Sequence, residues 1–430
     1  MKKSTTIIFF LLVLGIMAWS GGMAFAGEKV WPKPGEMVGP HNYEKYKNLI
    51  PVEGVRNLIR TVQTTKMTER KYIEQAPNYF NEATKKYGPG CKLTADGGLS
   101  NYVAGLPFTH EEIAEEQDLE KKGLMIGWNM TQRWQGEEFF VGASIRPANV
   151  NWLRADWCVP SGYPADYGAR RFCIDKYGNT VISDFDSFIS LTTGRAIMPP
   201  IGAIPGREDL LRMFFSIVQS PRDIQGQTVL KYEYLSQKKN DDFWSFIPSI
   251  RRVKRLSTAQ RSATRAPADN CWDEANSWGG KPANFTWKYL GEEDTLSFLT
   301  TDFGLKPGKN KEVTGIEFFR RPCYIVEHTP KDPGYAIAKR QIWVSKATAM
   351  PVSMYIFDKR GQIWKNIHMG SAQMVNKKTG ELASYPGRFN VWDLHTNHCT
   401  ILTSPSLYID FPLDHQMFTI QHMYEFAKGR

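Results

Sequence analysis

The chain has 430 residues, of which 42% are hydrophobic and 13% aromatic, and its formal net charge is +10. This length allows a large buried core, in one large domain or two modest ones. The basic residues are dispersed among acidic ones, which disfavours nucleic-acid binding and leaves anionic lipid headgroups or an acidic partner as candidate contacts. The high aromatic content, including 13 tryptophans, fits a large aromatic core and an apolar or sugar-stacking groove equally well.

The first 26 residues have the organisation of a secretory signal peptide. A basic N-terminus precedes an apolar segment at residues 7–19, which is short for a membrane span. Ala24 and Ala26 are the small residues of a cleavage signal, so cleavage is expected before Gly27. We therefore expect an exported, soluble protein that loses residues 1–26.

Helices and strands are both predicted in the N-terminal half of the exported chain. A helix is expected at residues 77–87, because a proline begins the segment and a Gly-Pro-Gly sequence follows it. Thr109 and Glu112 have the spacing of a capping box for a further helix. Strand-like sequence begins near residue 137 and continues through residues 184–191.

The chain is predicted to divide into three parts. The Pro- and Gly-rich segment at residues 198–206 is the best candidate boundary. The signal peptide occupies residues 1–26, and an N-terminal α+β region at 27–200 is expected to pack on a sheet. Residues 201–430 are expected to form that sheet.

Between residues 231 and 369 the sequence predicts successive strands joined by tight turns. Apolar and polar residues alternate in short runs, and the Gly-ended segment 358–361 has hairpin length. The predicted strands are 231–235, 243–247, 251–256, 323–328, 338–344, 351–357 and 362–367. Successive antiparallel strands with one solvated face form a sheet whose other face must be covered.

The hairpin at residues 243–256 carries the candidate ligand-binding residues. A turn at Pro248-Ser249 would pair Phe246 with Arg251 and Trp244 with Val253, which places these four side chains on one face. We expect Trp244 and Phe246 to line an apolar cavity, with Arg251 at the rim to meet an acidic headgroup. The alternatives are that Trp244 fills the core and that the basic run is a solvated outer strand.

Two further groups of residues are candidates for covalent or metal chemistry. Cys158 and Cys173, two of the six cysteines, bracket a Gly/Pro-rich loop, and a disulfide between them is predicted, with free buried thiols as the alternative. The weak candidate metal ligands are Asp393, His395, His398 and Cys399. This second group follows strand-like sequence, which favours a hairpin turn with side chains on opposite faces, so no metal is predicted.

No catalytic motif is evident in the sequence. The chain has no Gly-x-Ser-x-Gly elbow, and none of its cysteines has the sequence context of a nucleophile. Asp184 and Asp186 lie close in sequence, but they make a weak acid/base pair at best. We therefore predict a protein that is not an enzyme and needs no cofactor.

Several motifs resemble known families. One set of motifs comprises residues 102–108, 221–226 and 242–257. It resembles a family of exported proteins that is classified as a domain of unknown function. Members of that family are described as similar to outer-membrane lipoprotein-sorting factors. A second set resembles the shared core of lipoprotein-localisation carriers and comprises residues 323–346, 354–358 and 416–423. The first resemblance extends over nearly all of the exported chain, and the second mainly over residues 200–430.

These resemblances imply an α+β fold and a carrier function. The implied sheet is antiparallel, strongly curved and unclosed, a half-barrel with helices over its concave face and an apolar cavity for acyl chains. The expected function is that of a periplasmic lipid or lipoprotein carrier, or an accessory protein for one. An inner-membrane exporter of the resistance-nodulation-division type or an outer-membrane protein would be its partner. The chain is much longer than a simple carrier, so its N-terminal part could plug or dock the cavity.

Two other functions remain open at the level of sequence. The same fold could serve as an envelope stress sensor or outer-membrane assembly factor that recognises a partner through the cavity. A third hypothesis is that the protein is a hydrolase of envelope glycans.

Overall fold

The computed structural model describes most of the chain. The described residues are 29–142, 157–158, 169–256, 261–264, 267–302, 307–404, 407–410 and 412–428. Within them the α-helices are α1 (Tyr43–Tyr46), α2 (Glu53–Thr61), α3 (Asn78–Tyr87), α4 (His110–Glu115), α5 (Leu119–Gln132) and α6 (Ile420–Lys428). None of the described helices combines the length and the apolar composition needed to cross a membrane.

Strands account for most of the remaining regular structure. Those before residue 200 are β1 (Met37–Val38), β2 (Thr65–Lys66), β3 (Lys92–Leu93), β4 (Leu99–Ser100), β5 (Glu138–Val141), β6 (Trp157–Cys158), β7 (Ala169–Ile174), β8 (Thr180–Leu191) and β9 (Thr193–Arg195). The middle strands are β10 (Gly202–Ala203), β11 (Leu210–Ser220), β12 (Thr228–Tyr234), β13 (Asp242–Ile247), β14 (Arg252–Arg255) and β15 (Phe285–Thr300). The last are β16 (Ile316–Pro330), β17 (Lys339–Ser345), β18 (Pro351–Phe357), β19 (Ile363–Asn376), β20 (Leu382–Asp393), β21 (His398–Thr403) and β22 (Leu407–Ile409).

The fold is α+β and is built on one large sheet. Sixteen of the described strands join this sheet, and nearly all of its pairings are antiparallel. It is strongly curved and not closed into a barrel, since β14 forms a free edge among the described strands. The predicted fold class is therefore confirmed.

Strands from both sides of residue 200 belong to the same sheet. The first half of β8 pairs with β7 and its second half with β5, while its other edge pairs with β11. Strands β5 to β8 of the N-terminal region are thus part of the sheet, and the division of the chain near residue 200 stays a prediction. The helices of the N-terminal region supply the covering layer.

Strand β19, in the second half of the sheet, is covered on both faces. Neighbouring residues of a strand point to opposite faces. Ile367 of β19 packs in a core cluster with Met125 and Trp128 of α5. Asn366, its neighbour, accepts a hydrogen bond of 2.8 Å from the backbone N–H of Gly54 in α2. The expectation of one solvated face is thus wrong for β19, because α2 covers the second face.

Local sequence signals were reliable guides to the elements. Helix α3 begins after Pro77 and ends before a 3-10 turn at Gly88–Gly90, as predicted. Thr109 and Glu112 form the expected capping box at the start of α4. The structure also contains strands that were not predicted from the sequence, above all the long β11 and β15.

Candidate functional site

The hairpin of β13 and β14 has a longer turn than the sequence suggested. Pro248–Ile250 forms a 3-10 turn, and Arg251 follows it in the left-handed conformation with φ 51°. Phe246 therefore pairs with Val253, and Trp244 pairs with Arg255. The predicted pairing was wrong by two residues, but this shift keeps Trp244, Phe246 and Val253 on one face.

That face of the hairpin lies beneath the C-terminal helix. The continuous apolar surface on β11–β13, which we call the α6 surface, consists of Met213, Phe215, Leu230, Trp244 and Phe246. Phe246 is 3% exposed, and its ring centroid lies 5.6 Å from that of Tyr424 in α6. The hydroxyl of Tyr232, whose ring contacts Trp244 edge-on at 5.3 Å, donates to the carbonyl oxygen of Phe418.

Helix α6 and the turn before it complete this cluster. Phe418 and Met423 are fully buried in it, and Phe426 packs against Phe215 with ring centroids 5.9 Å apart. Val253 is half-buried against the same cluster, whereas Arg251 is exposed in the turn. A role in ligand binding stays a prediction for Trp244, Phe246, Arg251 and Val253.

The opposite side of the same sheet carries a small cavity. Its volume is about 30 Å³, which is room for one or two water molecules. Typical small-molecule sites are larger, at about 300–1,000 Å³. The end of α5 and the strands β8 and β11 contribute to its lining, including Gln132, Arg133 and Arg212.

Side chains of the N-terminal region pack against one face of β15–β20. Met125, Ile126, Trp128 and Met130 of α5 lie with residues of these strands in one core cluster. That the N-terminal part plugs or docks a carrier cavity stays a prediction.

The cysteines lie in the interior wherever the structure describes their side chains. Cys173 is buried in β7, and its sulfur lies 3.9 Å from the hydroxyl of Thr400. The side chain of Cys158 lies outside the described residues. The disulfide between Cys158 and Cys173 stays a prediction.

The candidate metal ligands lie around the predicted hairpin turn, and their side chains diverge. Asp393 ends β20 and pairs with His398 at the start of β21. The carboxylate of Asp393 accepts the backbone N–H of His395 at 3.0 Å, and His398 lies 2.7 Å from Asp269. Cys399 is buried in the core. Among the described residues, no group of three His, Cys, Asp or Glu side chains could hold a metal.

Asp184 and Asp186 both have polar partners. The guanidinium of Arg170 donates two hydrogen bonds, of 2.6 and 2.9 Å, to the carboxylate of Asp184. The side-chain amide of Gln219 donates to Asp186 at 2.9 Å. The first carboxylate is thus held in an ion pair, and the second is fully buried. This arrangement does not resemble two carboxylates that flank an open substrate groove.

The sequence did not predict a buried network of charges. Asp241 accepts a hydrogen bond of 2.5 Å from Arg261 and lies 3.2 Å from the ammonium of Lys281. Burial alone would raise the pKa of Asp241, but the positive charges of Arg261, Lys231 and Lys281 outweigh burial and lower it to about 2. These residues are far apart in sequence, so no local motif could have revealed them.

Three solved structures are similar to this chain at low identity. A DUF1329 family protein from Desulfovibrio piger has a TM-score of 0.49 and 15% identity, covering 71% of this chain and 100% of its own. A protein from Vibrio parahaemolyticus, described as an outer membrane lipoprotein-sorting protein domain, has a TM-score of 0.48 and 15% identity, covering 71% and 99%. A LolA superfamily protein from Nitrosomonas europaea has a TM-score of 0.40 and 13% identity, covering 70% and 98%.

Family membership comes from the sequence. No curated protein matches the chain. The model of the family described as "Protein of unknown function (DUF1329)" matches residues 38–151 and 165–423. This match extends over far more than half of the sequence. The chain therefore belongs to the DUF1329 family.

Proposed function

We propose that this protein is a periplasmic carrier of a lipid or lipoprotein, or an accessory protein for one, and binds acyl chains without catalysing a reaction. The observation that carries the proposal is the α6 surface. A helix of nine residues at the C-terminal end covers this broad apolar surface, with Ile420 39% and Tyr424 37% exposed. Displacement of the helix would open an apolar groove lined by Trp244 and Phe246.

The energetics favour such an exchange. A helix this short is marginal in water on its own, so its contacts with the α6 surface keep it folded. An acyl chain offers the same kind of apolar surface as Phe418 and Met423, and each buried methylene contributes about 0.8 kcal/mol. The ligand can therefore replace the helix contacts without a set of polar groups.

The sequence supports the compartment and the partners of this proposal. The signal-peptide pattern at residues 1–26 leads to export, with cleavage after Ala26, into the periplasm. The motifs that resemble lipoprotein-localisation carriers favour an acyl cargo. An inner-membrane exporter of the resistance-nodulation-division type or an outer-membrane protein is the proposed partner for delivery or acceptance.

Uptake of a fluorescent fatty-acid probe tests the proposal. Trp244→Ala and Phe246→Ala should each weaken probe binding by about tenfold or more, because they remove apolar lining from the groove. The matched control is Phe318→Ala, a fully buried aromatic in a different core cluster. This change should cost about 3–5 kcal/mol of stability and leave probe affinity unchanged below the melting temperature.

Two outcomes would contradict the proposal. If Trp244→Ala and Phe246→Ala lower the melting temperature like Phe318→Ala but leave probe affinity intact, both residues are core residues only. If the wild-type protein takes up neither the probe nor any component of an envelope lipid extract, the carrier function itself fails. Recognition of a protein partner would then replace it.

A further inference from the structure

The small cavity at the end of α5 is lined mainly by hydrogen-bond donors and aromatic rings. Gln132 and Arg133 line it from α5, and Arg212 lines it from β11. Tyr102 and Trp134 contribute rings to the other part of the lining. We call it the Arg133 cavity.

Arg133 is a buried cation without an acidic partner. Its side chain is 4% exposed. Its guanidinium donates to the backbone carbonyl oxygens of Met130 at 2.5 Å and Asn276 at 2.8 Å, both of which are neutral. No carboxylate of the described residues forms an ion pair with it, and its Nε has no hydrogen-bond partner there. A buried cation in this state destabilises a fold unless an anion joins it.

The neighbouring charges do not compensate Arg133. Arg212 lies 3.0 Å from Glu233, which also accepts from Lys231 at 2.7 Å. The ion-pair network continues from there through Asp241, and its members are Arg212, Lys231, Arg261, Lys281, Glu233, Asp241 and Asp273. Four cations and three carboxylates form this network, and Arg133 forms an ion pair with none of the three carboxylates among the described residues. Burial and the nearby charge of Arg212 lower the pKa of Arg133 to about 9.

The other polar groups of the lining point to the same missing partner. Gln132 is 5% exposed, and its side-chain amide nitrogen has no acceptor among the described residues. Glu137 also lines the cavity, but its carboxylate accepts the backbone N–H groups of Ala196 at 2.5 Å, Ile197 at 2.7 Å and Met198 at 2.7 Å. The carboxylate of Glu137 is thus used by backbone N–H groups, and no hydrogen bond or ion pair joins it to Gln132 or Arg133 among the described residues.

We infer that the Arg133 cavity binds an oxyanion, the carboxylate or phosphate group of a ligand, which accepts hydrogen bonds from Arg133 and Gln132. Its volume of about 30 Å³ admits one or two oxygens of such a group in the place of water molecules, and no acyl chain. The rings of Tyr102 and Trp134 provide an apolar wall for the atoms next to the anionic group. Such a ligand supplies the counter-charge that the protein lacks.

This site is separate from the proposed acyl groove. Arg212 pairs with Leu191 of β8, and both line the cavity. Met213, the next residue of β11, belongs to the α6 surface. Adjacent residues of a strand point to opposite faces, so the sheet lies between the two sites.

The substitution Arg133→Met tests the inference because it removes the charge and keeps much of the side-chain length. In a buffer of low anion content, the variant should melt at a higher temperature than wild type, since an apolar group replaces an uncompensated buried charge. Inorganic phosphate or acetate should raise the melting temperature of wild type only. In calorimetric titrations the variant should bind these anions about tenfold more weakly or not at all.

Arg261→Met is the matched control, because that guanidinium has two carboxylate partners. This variant should melt at a lower temperature than wild type and keep the anion response. Gln132→Leu is the second cavity variant, and it should also weaken anion binding. If wild type binds neither phosphate nor acetate, or if Arg133→Met binds them as tightly as wild type, the inference is wrong.

A comparison of ligands identifies the source of the anion. Lysophosphatidic acid, its neutral monoacylglycerol counterpart and inorganic phosphate are titrated into wild type and Arg133→Met. If phosphate and the lysolipid bind with equal affinity and both need Arg133, the natural ligand is a free anion. If the lysolipid binds more tightly and needs Arg133, the ligand is a lipid headgroup. Either result supports the site. Phe246→Ala should leave phosphate binding unchanged, so failure of the acyl groove and failure of this site are distinguishable.

Discussion

Asp241 shows how single buried charges stabilise this fold. Its carboxylate lies among three cations, at 2.5 Å from Arg261, 3.2 Å from Lys281 and 3.8 Å from Lys231. Removing one member of such a group leaves the others uncompensated, which typically costs about 3–5 kcal/mol. The network joins β12 to the segment that carries Arg261 and Lys281, so its charge state affects how that segment is held.

We therefore predict an acid-sensitive contribution to stability from Asp241. The folded-state pKa of about 2 lies below the ordinary value of 3.8, so the stabilisation is fully present above pH 3.8 and is lost as the pH falls towards 2. Asp241→Asn should lower the free energy of unfolding at neutral pH by about 3–5 kcal/mol. It should also flatten the loss of stability in this acidic window.

Denaturant unfolding at several pH values between 7 and 2 measures both effects. The control is Asp209→Asn, because Asp209 forms an exposed ion pair with Lys239 that is worth about 0–1 kcal/mol at most. If the curves of stability against pH for wild type and Asp241→Asn are parallel below pH 4, Asp241 is not the titrating group.

Residue-level features were predictable where the partners are close in sequence. The capping box of Thr109 and Glu112 needs only a local spacing, and the structure has it. The predicted strand partner of Trp244 was wrong, because the prediction assumed a two-residue turn. The hairpin instead turns through the longer 3-10 segment Pro248–Ile250. The state of Arg133 depends on Asn276 and Arg212, which are distant in sequence, so no local pattern predicts it.

At the scale of elements, α5 packs unusually closely against β15. A Cβ atom added to Gly123 would lie 2.9 Å from the backbone nitrogen of Lys288, and one added to Gly127 would lie 2.8 Å from the ring of Trp287. The two glycines, one helical turn apart, allow the helix to approach the strand. Met125 and Trp128 of α5 then enter the core cluster of the sheet.

We predict that Gly123→Ala destabilises the protein. In an exposed helix this change stabilises by about 1 kcal/mol, but here the added methyl group meets backbone atoms that cannot move aside. The expected loss is about 1–3 kcal/mol, measured by denaturant unfolding. Gly90→Ala is the control, because no atom lies within 4 Å of the added Cβ, and it should be nearly neutral. A stabilised Gly123→Ala variant would show that α5 is free to shift.

Elements were predicted well where apolar and polar residues alternate. This pattern gave β13, β17 and β18 nearly to their observed ends. In β15 the alternation is interrupted by the polar run at residues 291–294, and the second half of the strand is buried on both faces, so its full length is not marked by a single period of two. Tertiary coverage by other parts of the chain removes the signal on which the prediction depends.

At the scale of the whole molecule, the helices that cover the curved sheet differ in how much of each is buried. The resemblance of its motifs to known families was enough to predict the sheet. The coverage of both faces of β19 was not predictable in this way, because it depends on where the N-terminal helices pack on the sheet. Helix α5 buries nine of its fourteen residues. Helix α6 has nine residues, and Met423 is the one buried residue among those whose side chains the structure describes. Elements with few buried contacts open at lower free energy than those in the core.

Native-state hydrogen exchange should therefore separate the two helices. We predict that backbone amides of α6 exchange about a hundredfold faster than those of α5, because α6 can detach without unfolding the sheet. A saturating fatty-acid probe should accelerate exchange in α6 further, since the ligand takes the place of the helix on the α6 surface, and should leave exchange in α5 unchanged.

Variants provide the control for this experiment. Phe246→Ala should speed amide exchange in α6 without ligand, whereas Phe318→Ala should not speed exchange in α6 selectively. Equal protection of α5 and α6, or slower exchange of α6 with the probe, would mean that α6 is a fixed part of the core and that an acyl chain does not enter beneath it.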